Sequence, residues 1–408
     1  MKILLIGLVW PEPTSSAAGW RILQLIKLFS KLYEVHFASA AQKSEFSYPL
    51  NTLGVTEKKI KLNDTSFDEY IQELQPDVVL FDRFMVEEQY GWRVAEHCPK
   101  ALRILDTEDL HFVRLARQEA YKKKQEVDLY TTTAKREIAS ILRSDISLII
   151  SETEMDLLQQ EFAVAANRLF YLPFQEESLT AFHQQSVKSF SERKHFMFIG
   201  NFIHEPNFKT VEVLKKEIWP ILRKQLPEAE LHIYGAYATQ KVLQLHNPKE
   251  RFFIKGRAAD ARQTIEQYRL LIAPIPFGAG AKGKFVDAMY AGTPSVTTAV
   301  GAEAMSKMGR WNGFVEDDLS LFIEKAETLY KDSELWYKAQ NEGFSIFNEE
   351  YANQSYSQQL LEWIASHVKH VETLRSKNFI GQILLENQLN ATKYMSLWIE
   401  QKNKSSKT

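Results

Sequence analysis

The chain has little cysteine: Cys98 is the single one among 408 residues. One cysteine excludes an internal disulfide framework and fits a reducing compartment, so we expect Cys98 to be a small buried residue. The chain also lacks an excess of either sign of charge, because 50 Lys and Arg nearly offset 52 Asp and Glu and leave a net charge of −2. This balance gives no overall indication of nucleic-acid binding.

Long hydrophobic runs are missing as well. No stretch approaches about 18 uninterrupted apolar residues, so the sequence predicts no membrane-spanning helix. The apolar run in residues 1–10 is too short for a signal peptide and has no small-residue cleavage site, so it predicts a first strand. The turn after that strand, residues 7–13, lacks the Gly-x-Gly-x-x-Gly pattern and disfavours a nicotinamide dehydrogenase. We expect a cytoplasmic protein.

Short apolar runs alternate with amphipathic helical patterns, which predicts α/β architecture with parallel sheets covered on both faces. The length fits two doubly wound domains, with a polar boundary at residues 175–194. The predicted strands of the first half are residues 3–7, 35–38, 78–82, 103–106, 146–151 and 169–172. Those of the second half are residues 195–200, 230–235, 252–255, 270–274, 295–298 and 314–315.

Three segments follow from this pattern. We predict that residues 1–180 form an N-terminal Rossmann-like domain and that residues 190–368 form a second domain of the same type. The alternation stops near residue 368, and apolar residues at helical spacing predict one or two amphipathic helices. Residues 369–408 are therefore a C-terminal helical extension with a disordered tail.

The most informative segment is a glycine-rich loop that opens a helix. Gly278, Gly280 and Gly283 surround Lys282 and Lys284, and an apolar strand precedes them. Free N–H groups, the helix dipole and two lysines favour a diphosphate at this position. One turn into the helix, the carboxylate of Asp287 could accept hydrogen bonds from ribose hydroxyls. The alternative is a pair of solvated surface lysines beside a carboxylate that complements the helix dipole.

Seven runs in order resemble the C-terminal domain of retaining GT-B glycosyltransferases, the "glycosyl transferases group 1" class (family 4). They are residues 196–207, 231–235, 253–256, 277–289, 292–296, 300–303 and 313–318. The resemblance implies a GT-B fold of two facing Rossmann-like domains with C-terminal helices. It also implies a retaining, metal-independent enzyme of carbohydrate biosynthesis that moves a sugar from a nucleoside-diphosphate sugar to an acceptor hydroxyl. The donor is a substrate, and no cofactor is implied.

The resemblance assigns roles to individual residues. His111 would contact the donor sugar, and Lys282 would stabilise the leaving diphosphate. The donor-binding residues would be Gly19, Gly256, Gly280, Lys282, Gly283, Lys284, Asp287 and Glu303. Glu303 could instead cap the next helix, and the N–H groups near Gly19 could be satisfied by serine capping rather than by an anion.

Two departures keep other functions open. Ala279 stands where the family carries a first glutamate, and the loop after Gly200 lacks the usual Arg/Lys pair. A catalytically silent scaffold in a glycosylation complex and a nucleotide-sugar epimerase therefore remain alternatives. The acceptor is open among a glycan, a lipid-linked molecule and a protein, and peripheral contact with the inner membrane face is open too.

The segment after the fourth predicted strand carries several charged residues. His111 follows three acidic residues, which permits a metal, a structural or a substrate-contact role, and we predict no metal site. Arg114 and Arg117 follow on a predicted helix. We interpret them as part of a solvated face rather than as contacts to an acidic acceptor or lipid headgroups.

Overall fold

The computed structural model describes residues 1–386 together with Tyr394, Met395 and Trp398. Its strands form two parallel sheets, one in each half of the chain. The first sheet contains β1 Lys2–Gly7, β2 Glu34–Ser39, β3 Thr56–Lys59, β4 Val78–Asp82, β5 Leu102–Asp106, β6 Ile146–Ile149 and β7 Leu169–Tyr171. The second contains β8 Lys194–Ile199, β9 Leu231–Tyr234, β10 Phe252–Gly256, β11 Tyr268–Ala273, β12 Ser295–Thr297 and β13 Gly313–Val315.

Helices cover both faces of each sheet. The first half contains α1 Ala17–Ser30, α2 Ser66–Leu74, α3 Phe84–His97, α4 His111–Lys123, α5 Thr132–Arg143, α6 Glu152–Gln160 and α7 Ala181–Ser186. The second half contains α8 Glu205–Val213, α9 Trp219–Gln225, α10 Gln240–Leu243, α11 Ala261–Ile265, α12 Gly283–Tyr290, α13 Ala299–Ala302, α14 Leu319–Lys331 and α15 Ser333–Ile346. Three helices follow: α16 Ser355–His367, α17 Val371–Ser376 and α18 Phe379–Glu386.

The first sheet has the strand order β3-β2-β1-β4-β5-β6-β7. Successive residues of β1 point into different cores, since Ile3 and Leu5 belong to one apolar cluster and Leu4 and Ile6 to the other. A strand buried on both faces has no polar side, which explains the continuous apolar runs. The order reverses between β1 and β4, and ligands of such sheets bind beyond the carboxyl ends of strands at this point.

The second sheet repeats the plan with the order β10-β9-β8-β11-β12-β13. Its reversal lies between β8 and β11, and these strands pair through Leu270 with Phe196 and Leu271 with Met197. One apolar cluster around this sheet includes the fully buried Trp219 and Trp336. Each domain therefore has its own core and its own candidate ligand edge.

The chain returns to the first domain after α15. Leu360 and Ile364 of α16 and Val371 of α17 are buried in the cluster that also contains Ile3 and Leu5 of β1. Helix α16 thus lies within the predicted segment 190–368 but packs on the first sheet. Spacing along the chain cannot show which sheet an apolar helix face covers. The predicted domain bounds stay predictions.

All twelve predicted strands are present, most within one or two residues of their expected ends. The prediction lacked β3, whose residues 56–59 are polar and lie at a sheet edge. Cys98 is buried, and burial raises the pKa of its thiol. Helices α17 and α18 fall in the predicted extension, whereas the predicted tail lies outside the described residues. In the described part of the chain, no helix is long and apolar enough to span a bilayer.

Candidate functional site

The lysine loop, residues 278–284, runs from β11 to the start of α12 and packs directly on the first domain. Gly280 has φ +62°, and a Cβ there would lie 2.7 Å from Cβ of Asp109. A Cβ at Gly283 would lie 2.8 Å from Cβ of Ala17. Both close approaches require glycine. The loop therefore lies between the carboxyl edges of the two sheets, where a ligand is expected.

Lys282 and Lys284 are partly buried, and their hydrogen-bond partners are neutral. Lys282 Nζ donates to the backbone oxygen of Glu303 at 3.2 Å, and Lys284 Nζ donates to Asn207 Oδ1 at 2.7 Å. Burial lowers the pKa of Lys282 to about 8 and that of Lys284 to about 7. Within residues 1–386, neither ammonium group forms an ion pair with a carboxylate. The carboxylates of Glu303 and Glu154 interact with Lys282 beyond ion-pair distance and oppose the lowering of its pKa. For Lys284, only burial and the charge of Lys282 act among the described residues, so a bound diphosphate would supply counter-charge above all to Lys284.

The beginning of α12 adds to this positive character. The helix starts directly after Lys282, and Lys282 makes no side-chain capping bond to it. The first N–H groups of a helix have no partner within the helix, and the dipole gives this end a partial positive charge. The geometry is suited to a phosphate group.

Asp287, the predicted ribose contact, is paired with Arg262, a residue that sequence analysis did not single out. Arg262 Nε donates to Asp287 Oδ1 at 2.8 Å. Burial raises the pKa of the Asp287 carboxyl, and Arg262 opposes that rise. Gly256 ends β10 with φ +77°, so the backbone conformation favours glycine there although a Cβ would have space. The nucleotide contacts of Asp287 and Gly256 stay predictions.

His111 is the first residue of α4 and lies among charged groups. Its Nδ1 is 3.2 Å from Asp109 Oδ1 and 3.7 Å from Glu137 Oε1. Against the effect of burial, Arg114 and His111 hold the pKa of Asp109 well below its usual range. From the second domain, His204 faces this group, and burial together with Arg114 lowers the pKa of His204 to about 4. The two domains thus bring two carboxylates, a guanidinium and two imidazoles together.

The predicted solvated face of α4 is wrong for Arg114 and Arg117. Arg114 Nε pairs with Asp109 Oδ2 at 2.7 Å. Arg117 crosses to the second domain, where Nη1 lies 2.5 Å from Glu303 Oε2 and Nη2 lies 2.9 Å from Oε1. The capping alternative for Glu303 is wrong because its carboxylate is engaged by this two-bond pair. Residues 122–124, in contrast, are exposed as expected.

The serine-capping alternative holds at the start of α1. The N–H of Gly19 donates to Ser16 Oγ at 3.0 Å. A Cβ at Gly19 would lie 2.3 Å from the carbonyl oxygen of Glu12, so close packing explains the glycine. An anion contact at Gly19 stays a prediction.

Sequence analysis missed Glu154, the third residue of α6. Its Oε1 accepts the N–H of Leu110 at 3.0 Å, whereas Oε2 is buried and has no hydrogen-bond partner among the described residues. Burial raises the pKa of Glu154 to about 7. A cavity of about 250 Å³ adjoins it at the domain seam. The spacing Ser151-x-x-Glu154 after β6 is a capping-box pattern, which was the available signal.

Comparison with known proteins identifies the architecture. Residues 193–332 match the family model described as "Glycosyl transferases group 1". Sucrose-phosphate synthase from Thermosynechococcus elongatus superposes with a TM-score of 0.66 at 13% identity, over 90% of this chain and 99% of that one. Anabaena HepE in complex with UDP and glucose gives 0.62 at 14%, over 89% and 99%. The chain has the GT-B fold.

A third similar GT-B structure is that of a variant of S. aureus TarM in complex with fondaparinux, α-GlcNAc-glycerol and UDP. It superposes with a TM-score of 0.57 at 15% sequence identity, over 73% of this chain. This chain spans 58% of the TarM chain. No curated protein matches the sequence. The two sheets are the two GT-B domains, and the lysine loop lies in the cleft between them.

Proposed function

We propose that this chain is a retaining, metal-independent glycosyltransferase that moves a sugar from a nucleoside-diphosphate sugar to an acceptor hydroxyl. The observation that carries the proposal is the lysine loop at the start of α12. Lys282 and Lys284 are partly buried, without a carboxylate partner in the described part of the chain, beside an uncapped helix N-terminus. A bound diphosphate would accept hydrogen bonds from both ammonium groups and from the free N–H groups at the start of the helix.

The loop would act mainly on the leaving group. Cleavage of the bond between the sugar and the diphosphate leaves extra negative charge on the phosphate oxygen. Two ammonium groups and helix N–H groups placed beforehand would stabilise that charge, which lowers the barrier. They would take the part that a metal ion plays in other transferases, which supports metal independence. Front-face attack by the acceptor hydroxyl, with its proton passing to the leaving phosphate, requires no nucleophilic side chain.

The first domain would hold the acceptor and the transferred sugar. Asp109 packs against the lysine loop at Gly280, and His111 Nδ1 lies 3.2 Å from Asp109 Oδ1, so these two side chains are the proposed contacts for hydroxyl groups of the sugar. Because HepE and TarM were solved with UDP, a uridine donor is the first to test. The acceptor class remains open among glycan, lipid-linked and protein acceptors. We further propose a cytoplasmic location.

A silent scaffold is the second candidate, and Ala279 is the observation that favours it. A methyl group at this position of the loop offers no hydrogen bond to a sugar. A scaffold would bind the nucleotide without transferring the sugar. Turnover therefore distinguishes the two candidates, whereas nucleotide binding alone does not.

The test is a thermal-shift panel of nucleoside diphosphates and their sugars, with and without EDTA. A specific ligand raises the stability of the folded state with the logarithm of its concentration over its dissociation constant. We expect one nucleotide family to stabilise the wild type whether or not EDTA is present, and Lys282→Ala to lose the effect. The exposed Lys224→Ala is the matched control and should keep it. No shift with any donor would refute the donor site.

The reaction itself needs a second measurement. The donor that stabilises the protein is incubated with acceptor extracts, and the anomeric configuration of any glycoside formed is read by NMR. We expect the configuration of the donor to be retained. An inverted product would refute retention, an isomerised free donor would indicate an epimerase, and binding without any turnover would favour the scaffold.

A further inference from the structure

Arg262 joins two carboxylates that belong to different domains. Its Nε donates to Asp287 Oδ1 at 2.8 Å, and its Nη2 lies 2.9 Å from Glu176 Oε1. The guanidinium carbon lies 4.2 Å from the ring centre of Tyr290 and 5.6 Å from that of Trp20. With 22% of its side chain exposed, Arg262 is held by two ion pairs and two rings. A lysine has no planar fork with which to copy this arrangement.

Glu176 lies where the chain passes between the domains. Its N–H donates to the carbonyl oxygen of Tyr351, and its own carbonyl oxygen accepts from Gln354 Nε2 at 2.9 Å. These partners belong to the second passage of the chain, which leads back to the first domain. Helix α1 also contributes, since Trp20 Nε1 and Gln24 Nε2 donate to Glu176 Oε1 at 2.8 and 3.1 Å. The chain thus crosses between the domains twice, at Glu176 and at residues 351–354, and Arg262 is anchored through Glu176 to both crossings.

Asp287 has one oxygen engaged and one available. Oδ1 accepts from Arg262, whereas Oδ2 has no hydrogen-bond partner within residues 1–386, and 27% of the side chain is exposed. The residue lies about one helical turn after Lys284 in the same helix. A carboxylate with a free oxygen suits the hydroxyl groups of a ribose.

We propose that Arg262 is a positioning residue, which orients the carboxylate of Asp287 toward the ribose hydroxyls of the donor and ties it to the domain crossing at Glu176. The inference rests on the proposed function, because it assumes a nucleotide at the lysine loop. Burial raises the pKa of Asp287, and the guanidinium of Arg262 counteracts that rise. Arg262 acts through Asp287 and does not itself touch the donor.

The test compares three ligands that differ only in what Asp287 can recognise. They are UDP, 2′,3′-dideoxy-UDP and inorganic pyrophosphate, each titrated by calorimetry into wild type and Arg262→Met. We expect the variant to lose about tenfold in affinity for UDP, because a charge-assisted bond to each ribose hydroxyl is misaligned. Affinities for the dideoxy nucleotide and for pyrophosphate should change by less than about twofold.

Three further variants separate positioning from general damage. Arg262→Lys keeps the charge without the fork and should lose ribose discrimination in part. In Asp287→Asn, adding Arg262→Met should cause no further loss of UDP affinity, because Arg262 acts through Asp287. The matched control is Arg310→Met, which removes the ion pairs with Glu342 and Glu349 but leaves Arg262, Asp287 and Glu176 in place, and it should bind all three ligands as wild type does.

The outcomes distinguish this inference from the proposed function. If no nucleoside diphosphate binds to the wild type, the donor site fails. If UDP binds and Arg262→Met still prefers it over the dideoxy analogue as strongly as wild type does, the donor site stands and the role of Arg262 is wrong. Glu176→Gln tests the anchor: it should weaken ribose discrimination, and full discrimination in this variant would overturn the link to the crossing.

Discussion

Donor affinity should fall as the pH rises through neutrality. In the empty protein, burial lowers the pKa of Lys284 to about 7 and that of Lys282 to about 8. A diphosphate beside them favours the charged ammonium form and raises both values again. Binding must therefore take up protons whenever the lysines are neutral beforehand. The sign follows from linkage: affinity is highest below the pKa of the empty site and declines above it.

The magnitude follows from the two pKa values. At about pH 8, a group with a pKa of about 7 is protonated in roughly one molecule in eleven, and one with a pKa of about 8 in roughly half. Because the donor binds the form with both lysines protonated, its affinity falls by the product of these two fractions. The affinity should therefore be about twentyfold weaker near pH 8 than near pH 6. Glu154, whose pKa burial raises to about 7, becomes anionic over the same range; its charge repels the donor but also raises the pKa of Lys282, so its two effects oppose each other.

The assay is calorimetric titration with the intact nucleotide sugar, whose phosphates do not titrate in this range. Repeating it in buffers with different ionisation heats counts the protons taken up. Lys284→Met should bind more weakly at low pH and lose the part of the decline centred near pH 7, while Lys224→Met should match the wild type. An affinity that stays within about twofold across the range, with no proton uptake, would refute the reasoning.

Two other perturbations address how the domains meet. Arg117→Ala should lower the free energy of unfolding in urea by about 1–3 kcal/mol, because it leaves the partly buried Glu303 without its partner. If the pair acts as a unit, Arg117→Ala, Glu303→Ala and the double variant should lose equal stability. Fully additive losses would contradict the pairing. Gly280→Ala would press a Cβ against Asp109 and should lower donor affinity at least about tenfold. The control is Gly309→Ala, at φ +67° with open space around its Cβ, which introduces backbone strain without a steric clash and should leave donor affinity unchanged. Equal effects of Gly280→Ala and Gly309→Ala would rule out the steric explanation.

The fold was predictable because a parallel strand covered on both faces must be apolar along its whole length. Val78–Asp82 of β4 is buried at every position, and its ends were predicted without error. β3 was not predicted, because Thr56–Lys59 is a polar edge strand that contributes little to a core. The packing of α16 on the first domain was not predicted for another reason: the sequence shows its apolar face but not the surface that this face covers.

The candidate site was predictable only where its residues are neighbours in sequence. Lys282, Lys284 and Asp287 share one loop and one helix, so their spacing carries the signal. The pair of Arg117 with Glu303 spans 186 positions, and no local pattern indicates it. Arg262 likewise looks like an ordinary arginine of a short helix. Long-range ion pairs depend on how the domains face each other, which local spacing does not encode.

The double crossing between the domains has a consequence for biosynthesis. Because the buried Leu360, Ile364 and Val371 complete a core that begins with Ile3, the first domain cannot finish folding until residue 371 has left the ribosome. The core of the second domain ends with Tyr351, so this domain can finish folding earlier on the ribosome although its sequence begins later. Arg375 then joins the first domain through Asp145 at 2.6 Å. A chain that ends between residues 351 and 371 would hold a complete second domain and an unfinished first domain.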